Sequence, residues 1–370
     1  MKKLILFSFL AIIGLCGLTV YERYSKNIAQ VFPYPYQFVA NTPLESSAPI
    51  LIIGDRLGVR FASFSDLMAT EMSQNLVKKI EIASFAKKEF GLHRTLNELK
   101  RLKTLPKVII YLGASEEFVE SRIAPKSTQN FKKNFTLFQD LRVQTATMIA
   151  PNLSRLIYHP TQMIQFTDEL KKDQTKYDDL ETMERNEYVF QMYNKELEDL
   201  IDYVQERNSI LILITTPLNP DIAPKKSCAG TFPNEFAPLQ NEVQKFLKEK
   251  DYKQAYEKSR ELTLVANSNA NVHYTHALIA KNLGLDEEAQ RSLNLAQAFD
   301  CLNWRGNPVF NQIIKRQALN KEVILFDFNQ MLVDQWTQDV LFLDEIYPQN
   351  LYFERMSRSI ATRIKNILNL

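Results

Sequence analysis

The chain is poor in the residues that most cofactor chemistry needs. Nine glycines in 370 residues, with no G-x-G-x-x-G and no G-K-[ST], argue against a loop that cradles nucleotide phosphates. Four His and three Cys, well separated, give no metal-ligand spacing. No cofactor and no metal is therefore expected. Net charge is also lacking, with 45 Lys and Arg against 43 Asp and Glu, so nothing calls for nucleic acid as a partner. Lysines recur between 78 and 107 but are interspersed with Glu81, Glu89 and Glu98, which reads as solvated helix faces. What is present is an ordinary globular mix, 45% apolar and 24% charged, enough for one large core or two smaller ones.

The N-terminus has a signal-like pattern. Lys2 and Lys3 precede an almost unbroken apolar run from Leu4 to Val20, a secretory n-region and h-region. Seventeen residues fall at the short end of a membrane span, about 17–25. No small-x-small cleavage site follows, so residues 1–24 are expected to be an uncleaved anchor rather than a removed peptide. Bulky Leu15 before Cys16 argues against a lipoprotein. The positive N-terminus predicts a cytoplasmic start, an inner-membrane anchor through residues 4–20, and a periplasmic remainder. Residues 25–48, with Phe32-Pro33-Tyr34-Pro35-Tyr36 and Thr42-Pro43, read as an extended linker. In that compartment Cys228 and Cys301 can form a disulfide, or remain two thiols.

Short Ile-, Leu- and Val-rich runs at 50–53, 79–83, 107–112, 209–215 and 323–326 alternate with helical patterns at 92–102, 131–146, 179–207 and 349–369. Such alternation predicts a parallel sheet covered on both faces. Its domain is expected over 49–235 and 300–370. Residues 236–299 change character: a shift of 34 places Lys250 on Gly284, Tyr252 on Asp286, Ala255 on Ala289 and Leu262 on Ala296. A 34-residue period with Ala at a tight helix crossing is similar to the tetratricopeptide repeat. His273 and His276 share a helix face there, as groove-lining residues rather than zinc ligands. His159, before Pro160, reads as a turn residue.

Three blocks carry the chemistry. Gly54-Asp55-Arg56 ends the run Ile50–Ile53, Gly113-Ala114-Ser115-Glu116 follows Val108–Leu112, and Asp344-Glu345-Ile346-Tyr347-Pro348 precedes the last helix. Together they resemble the SGNH (GDSL-type) hydrolase family, whose blocks read Gly-Asp-Ser, Gly-x-Asn-Asp and Asp-x-x-His-Pro. The resemblance implies a three-layer α/β sandwich with a central parallel sheet in flavodoxin-like order. It also implies that the reactive atoms have been replaced. Arg56 stands at the nucleophile, Ser115 at the oxyanion-holding Asn, and Tyr347 at the His, while Gly91 matches the block-two Gly and Asp344 the orienting Asp. Without nucleophile and base a charge-relay hydrolysis has no route.

Arg56 is then expected either to pair with Asp344 or Glu116 as structure, or to form an anion site. The ligand-binding candidates are Asp55, Arg56, His93, Ser115, Glu116, Asp344 and Tyr347, with a glycan or an anion as ligand. A His93–Ser115 pair is a third, catalytic reading. The function expected is that of a pseudoenzyme: a membrane-anchored binding or scaffold protein of the cell envelope, with residues 236–299 docking a protein partner. The alternative is an esterase or O-acetyl transferase on envelope glycans that uses non-standard residues.

Overall fold

The structure is a computed structural model that describes residues 44–74, 79–118, 128–150, 153–159, 178–228, 230, 232–302, 305–336 and 339–368. The expected anchor at 4–20 and the linker up to residue 43 lie outside the described residues. Among the described residues no helix is long and apolar enough to cross a membrane. The fold is a mixed α/β one. Val39–Ser121 with Gln174–Leu370 form one compact unit, and Arg122–Asp173 belong to another.

The first unit begins β1 Ile50–Gly54, α1 Arg56–Ala62, α2 Ser65–Met72, β2 Ile82–Ser84, α3 Leu92–Lys100 and β3 Val108–Leu112. The second unit carries α4 Thr128–Gln139, α5 Leu141–Ile149 and α6 Ser154–Ile157. The first resumes with α7 Asp179–Gln205, β4 Ile210–Ile214, α8 Phe236–Lys248, α9 Tyr252–Val265, α10 Ala270–Asn282 and α11 Asp286–Ala298. It ends with α12 Pro308–Asn320, β5 Ile324–Phe326, α13 Phe328–Val333 and α14 Asn350–Leu368.

All five strands are parallel, in the order β2-β1-β3-β4-β5. Neighbouring strand residues point to opposite faces, and every residue of β1 and β3 is buried, so both faces are covered. On one face Ile50, Ile52, Ile110 and Ile212 join a core with Phe61, Met68, Phe353, Met356 and Ile360 from α1, α2 and α14. On the other, the Tyr111 hydroxyl lies 3.3 Å from that of Tyr193 on α7, and α3 and α12 pack on α7. β2 starts three residues later than the apolar pattern indicates. Lys79 is drawn instead into an ion pair with Asp66, and the Ile80 N–H donates to the Ser73 hydroxyl, which ties that stretch to α2.

In the other unit the helical pattern at 131–146 resolves into two helices. Asp140 separates them by accepting the Arg142 N–H at 2.8 Å and capping α5. Asn134 clasps both backbone groups of His159.

Helices α8 to α11 each pack on the next. Their starts, 236 and 270, then 252 and 286, recur at an offset of 34. Lys250 and Gly284, at matching joints, both have positive φ, 59° and 73°. Ala255 and Ala289 are fully buried. Cys228 and Cys301 are joined by a disulfide at the base of these helices, with Cα atoms 6.0 Å apart. Asp300 reinforces that base by accepting the N–H groups of Lys225 and Lys226.

Candidate functional site

The site lies where β1 and β3 end. Gly54 has φ +138°, and a Cβ there would sit 1.8 Å from the Leu112 carbonyl oxygen. Only glycine lets the two strand ends run this close. The next residue, Asp55, is buried and caps α1, with Oδ1 accepting the Leu57 N–H at 2.8 Å. Its Oδ2 accepts both donors of Ser115, the N–H at 2.6 Å and the hydroxyl at 2.7 Å. One carboxylate thus stitches the β1 loop to the β3 loop. Burial, with the nearby Glu116 charge adding to it, pushes the Asp55 carboxyl up to about 6, against the pull of those hydrogen bonds.

Arg56 pairs with Glu116 rather than Asp344. Its Nε donates to Glu116 Oε1 at 2.7 Å, and Nη2 reaches the same oxygen. The backbone N–H of Arg56 donates to Glu116 Oε2 at 3.3 Å, and the N–H of Glu89 does so at 2.5 Å. The Glu116 carboxylate is 1% exposed and the Arg56 side chain 20%. Glu116 is therefore a buried anion held by backbone donors and one guanidinium. Gly91 caps α3 through its backbone alone. Glu117 supplies the missing side-chain cap, accepting the Leu92 N–H at 2.8 Å.

Asp344 turns onto its own loop and accepts the N–H groups of Ile346 and Tyr347 at 2.8 and 2.7 Å. Tyr347 is half-buried. Burial raises its phenol, the charges of Glu116, Asp55 and Asp344 add to the rise, and Arg56 opposes it. The phenol stays protonated at neutral pH and is no proton acceptor there.

A cleft of about 330 Å³ opens here, lined by Arg56, Val59, Arg60, Ser63, Lys88, Leu343, Asp344 and Tyr347. Arg56, Arg60 and Lys88 line it with one carboxylate, Asp344, and the Arg56 guanidinium is already paired with Glu116. Ser63, the aliphatic hydroxyl among the lining residues, donates to the Arg60 carbonyl at 2.9 Å, and no His or Cys is among them.

The structure brings Asp55 and Ser115 into one hydrogen-bonded pair and Arg56 and Glu116 into a second, adjacent in sequence to the first, with Arg56, Asp344 and Tyr347 on one cleft. His93 does not line that cleft. It is buried in α3, with Nδ1 3.1 Å from Glu196 Oε1 on α7. His273 lies against the Asn267 carbonyl at 2.7 Å and stacks on Phe299. Among the described residues no group of His, Cys, Asp and Glu could hold a metal ion.

Sequence reading missed Arg60, Lys88, Glu117 and Glu196. Arg60 had a signal, one helical turn after Arg56 on the same face. Lys88 was hidden in a lysine run read as solvated surface. No known protein family matches the sequence, and no curated protein is significantly similar to it.

Proposed function

We propose that this chain is a non-catalytic binding and scaffold protein, membrane-anchored and facing an oxidising compartment of the cell envelope. It is built on a degenerate SGNH-like domain with a tetratricopeptide-like insertion. The observation that carries the reading is the Arg56–Glu116 pair. On this reading Arg56 stands at the position of the attacking hydroxyl. Its own N–H, a donor to the oxyanion in an active relative, holds the Glu116 carboxylate instead. Ser115, in place of the Asn, spends its hydroxyl on Asp55.

Three further observations support it. The strand order 2-1-3-4-5 is the flavodoxin-like one, and ligands bind such sheets at the carboxyl ends of the strands. Helix starts recur every 34 residues. The disulfide favours a compartment outside the cytoplasm. On this reading the cleft takes an anionic group, such as a uronate or a phosphate of an envelope polymer, and the helices at 236–299 dock a protein partner.

Calorimetric titration of the full chain in detergent with inorganic phosphate and with a galacturonate oligomer tests the cleft. Binding should be saturable, and Arg60→Ala with Lys88→Ala should weaken it at least ~10-fold, about 1.4 kcal/mol. Unchanged binding in that variant contradicts the proposal. The rival esterase or acetyl transferase reading requires ester turnover that Ser115→Ala or His93→Ala abolishes.

A further inference from the structure

A second concavity lies among the inserted helices and shares no residue with the anion cleft. Its volume is about 320 Å³, and no charged side chain lines it. Two features dominate its wall. Phe232 and Phe236 stack face to face, with ring centroids 4.1 Å apart and planes 15° apart. Phe232 is 37% exposed, so it presents an open aromatic surface backed by Phe236. One and two helical turns beyond Phe236 on α8 are the carboxamides of Gln240 and Gln244, and Asn271 stands at the start of α10, all three exposed. None of these carboxamides makes a side-chain hydrogen bond among the described residues. Val243, Leu262 and Val272 form the floor.

This composition selects a ligand class. A carboxamide both donates and accepts, which suits a hydroxyl that does the same. A flat aromatic face suits a ring with an apolar C–H side. The absence of charge on the wall leaves nothing to reward an ionic ligand or to pair a buried one. The volume sits at the small end of ligand sites, roughly 300–1,000 Å³, room for a short, ring-shaped molecule. The floor is fixed by the helix packing, and Ser227, beside the disulfide, pins the start of α10 by accepting the Ala270 N–H at 3.1 Å. The groove is therefore preformed, which lowers the ordering cost of binding.

We infer that this groove is a binding site for a neutral saccharide, one ring lying on the exposed Phe232, which Phe236 backs, and its hydroxyls meeting Gln240, Gln244 and Asn271. The protein would then hold two different ligands, an anionic group at the sheet edge and an uncharged sugar on the helices.

The test is calorimetric titration of the full chain in detergent with cellotetraose and chitotetraose. An uncharged octapeptide of glycine, serine and asparagine and a galacturonate oligomer serve as comparison ligands. At least one neutral tetrasaccharide should bind with a dissociation constant of ~1 mM or tighter. Phe232→Ala and Gln244→Ala should each weaken it at least fivefold, Phe232→Tyr should retain it, and Lys88→Ala should leave it unchanged. Both Ala variants alter exposed side chains, and an unchanged melting curve shows that each is folded. Three results overturn the inference: no neutral saccharide binds, binding ignores both Ala variants, or only the octapeptide or the uronate binds with Phe232 dependence.

Discussion

Two regions of this molecule set a serine hydroxyl beside acid–base groups, and they do so in opposite ways. In the helical insertion Ser259 Oγ lies 2.7 Å from His276 Nδ1, and His276 Nε2 lies 3.0 Å from Glu288 Oε1. The order of groups is that of a charge relay. Yet Ser259 is buried, and its hydroxyl also lies 2.9 Å from the Tyr256 carbonyl. Tyr256 donates to Glu288 at 2.6 Å and holds that carboxyl below its usual range, so it is ionised. The network ties α9, α10 and α11 together where no substrate can enter. At the sheet edge the reverse holds. A cleft is open, but its serine neighbour is bonded to Asp55 and its guanidinium to Glu116. Reactivity needs a nucleophile, a base and access in one place, and neither of these two places combines all three among the described residues.

The contrast can be broken first at the glycines. Gly54→Ala places a Cβ against the Leu112 carbonyl, so the β1–β3 edge must move. We expect a loss above ~4 kcal/mol, or no folded protein. Gly284→Ala meets nothing within 4 Å and suffers only from its φ of 73°, about 1 kcal/mol. Denaturant unfolding of both variants checks the difference.

Next in size is Glu116→Gln. It leaves Arg56 without its partner and turns an amide nitrogen toward backbone donors, at a cost of about 3–5 kcal/mol. Opening the Cys228–Cys301 disulfide by paired serine substitution should cost about 2–4 kcal/mol. Far-UV circular dichroism should show the loss in the helical signal, with the Asp55–Ser115 stitch intact.

The last effect is a pH dependence. The folded Asp55 carboxyl, at about 6, lies above its ordinary value of 3.8. The folded state therefore holds this proton more tightly than the unfolded state. The stability gained is full below about pH 3.8 and is lost as pH rises to about 6. Relative to Asp55→Asn, which does not titrate, the wild type should lose up to about 3 kcal/mol across that window. A flat difference would mean that Asp55 is not desolvated.

Much of the scaffold is legible in the sequence because local pattern suffices for it. The runs at 50–53, 107–112 and 209–215 become β1, β3 and β4 within a residue or so, since an unbroken apolar run has few places to go but a buried strand. The shift of 34 anticipates the matched helix starts. The site was legible only as a set of positions. Glu116 was one of two partners open to Arg56, and nothing local decides between it and Asp344. The structure decides by turning Asp344 onto Ile346 and Tyr347. Glu117 capping a helix 25 residues earlier and Glu196 facing His93 from 103 residues away are long-range pairings that no periodicity announces.

The most direct test is ester turnover by the full chain in detergent, followed with p-nitrophenyl acetate, beside the variant carrying Arg56→Ser, Tyr347→His and Glu116→Gly. The wild type should give no rate above buffer. The triple variant, with a hydroxyl, an imidazole and freed N–H donors, should give a measurable one. Wild-type turnover that Ser115→Ala removes would show that the sheet edge is a working enzyme and contradict the reading of a non-catalytic site.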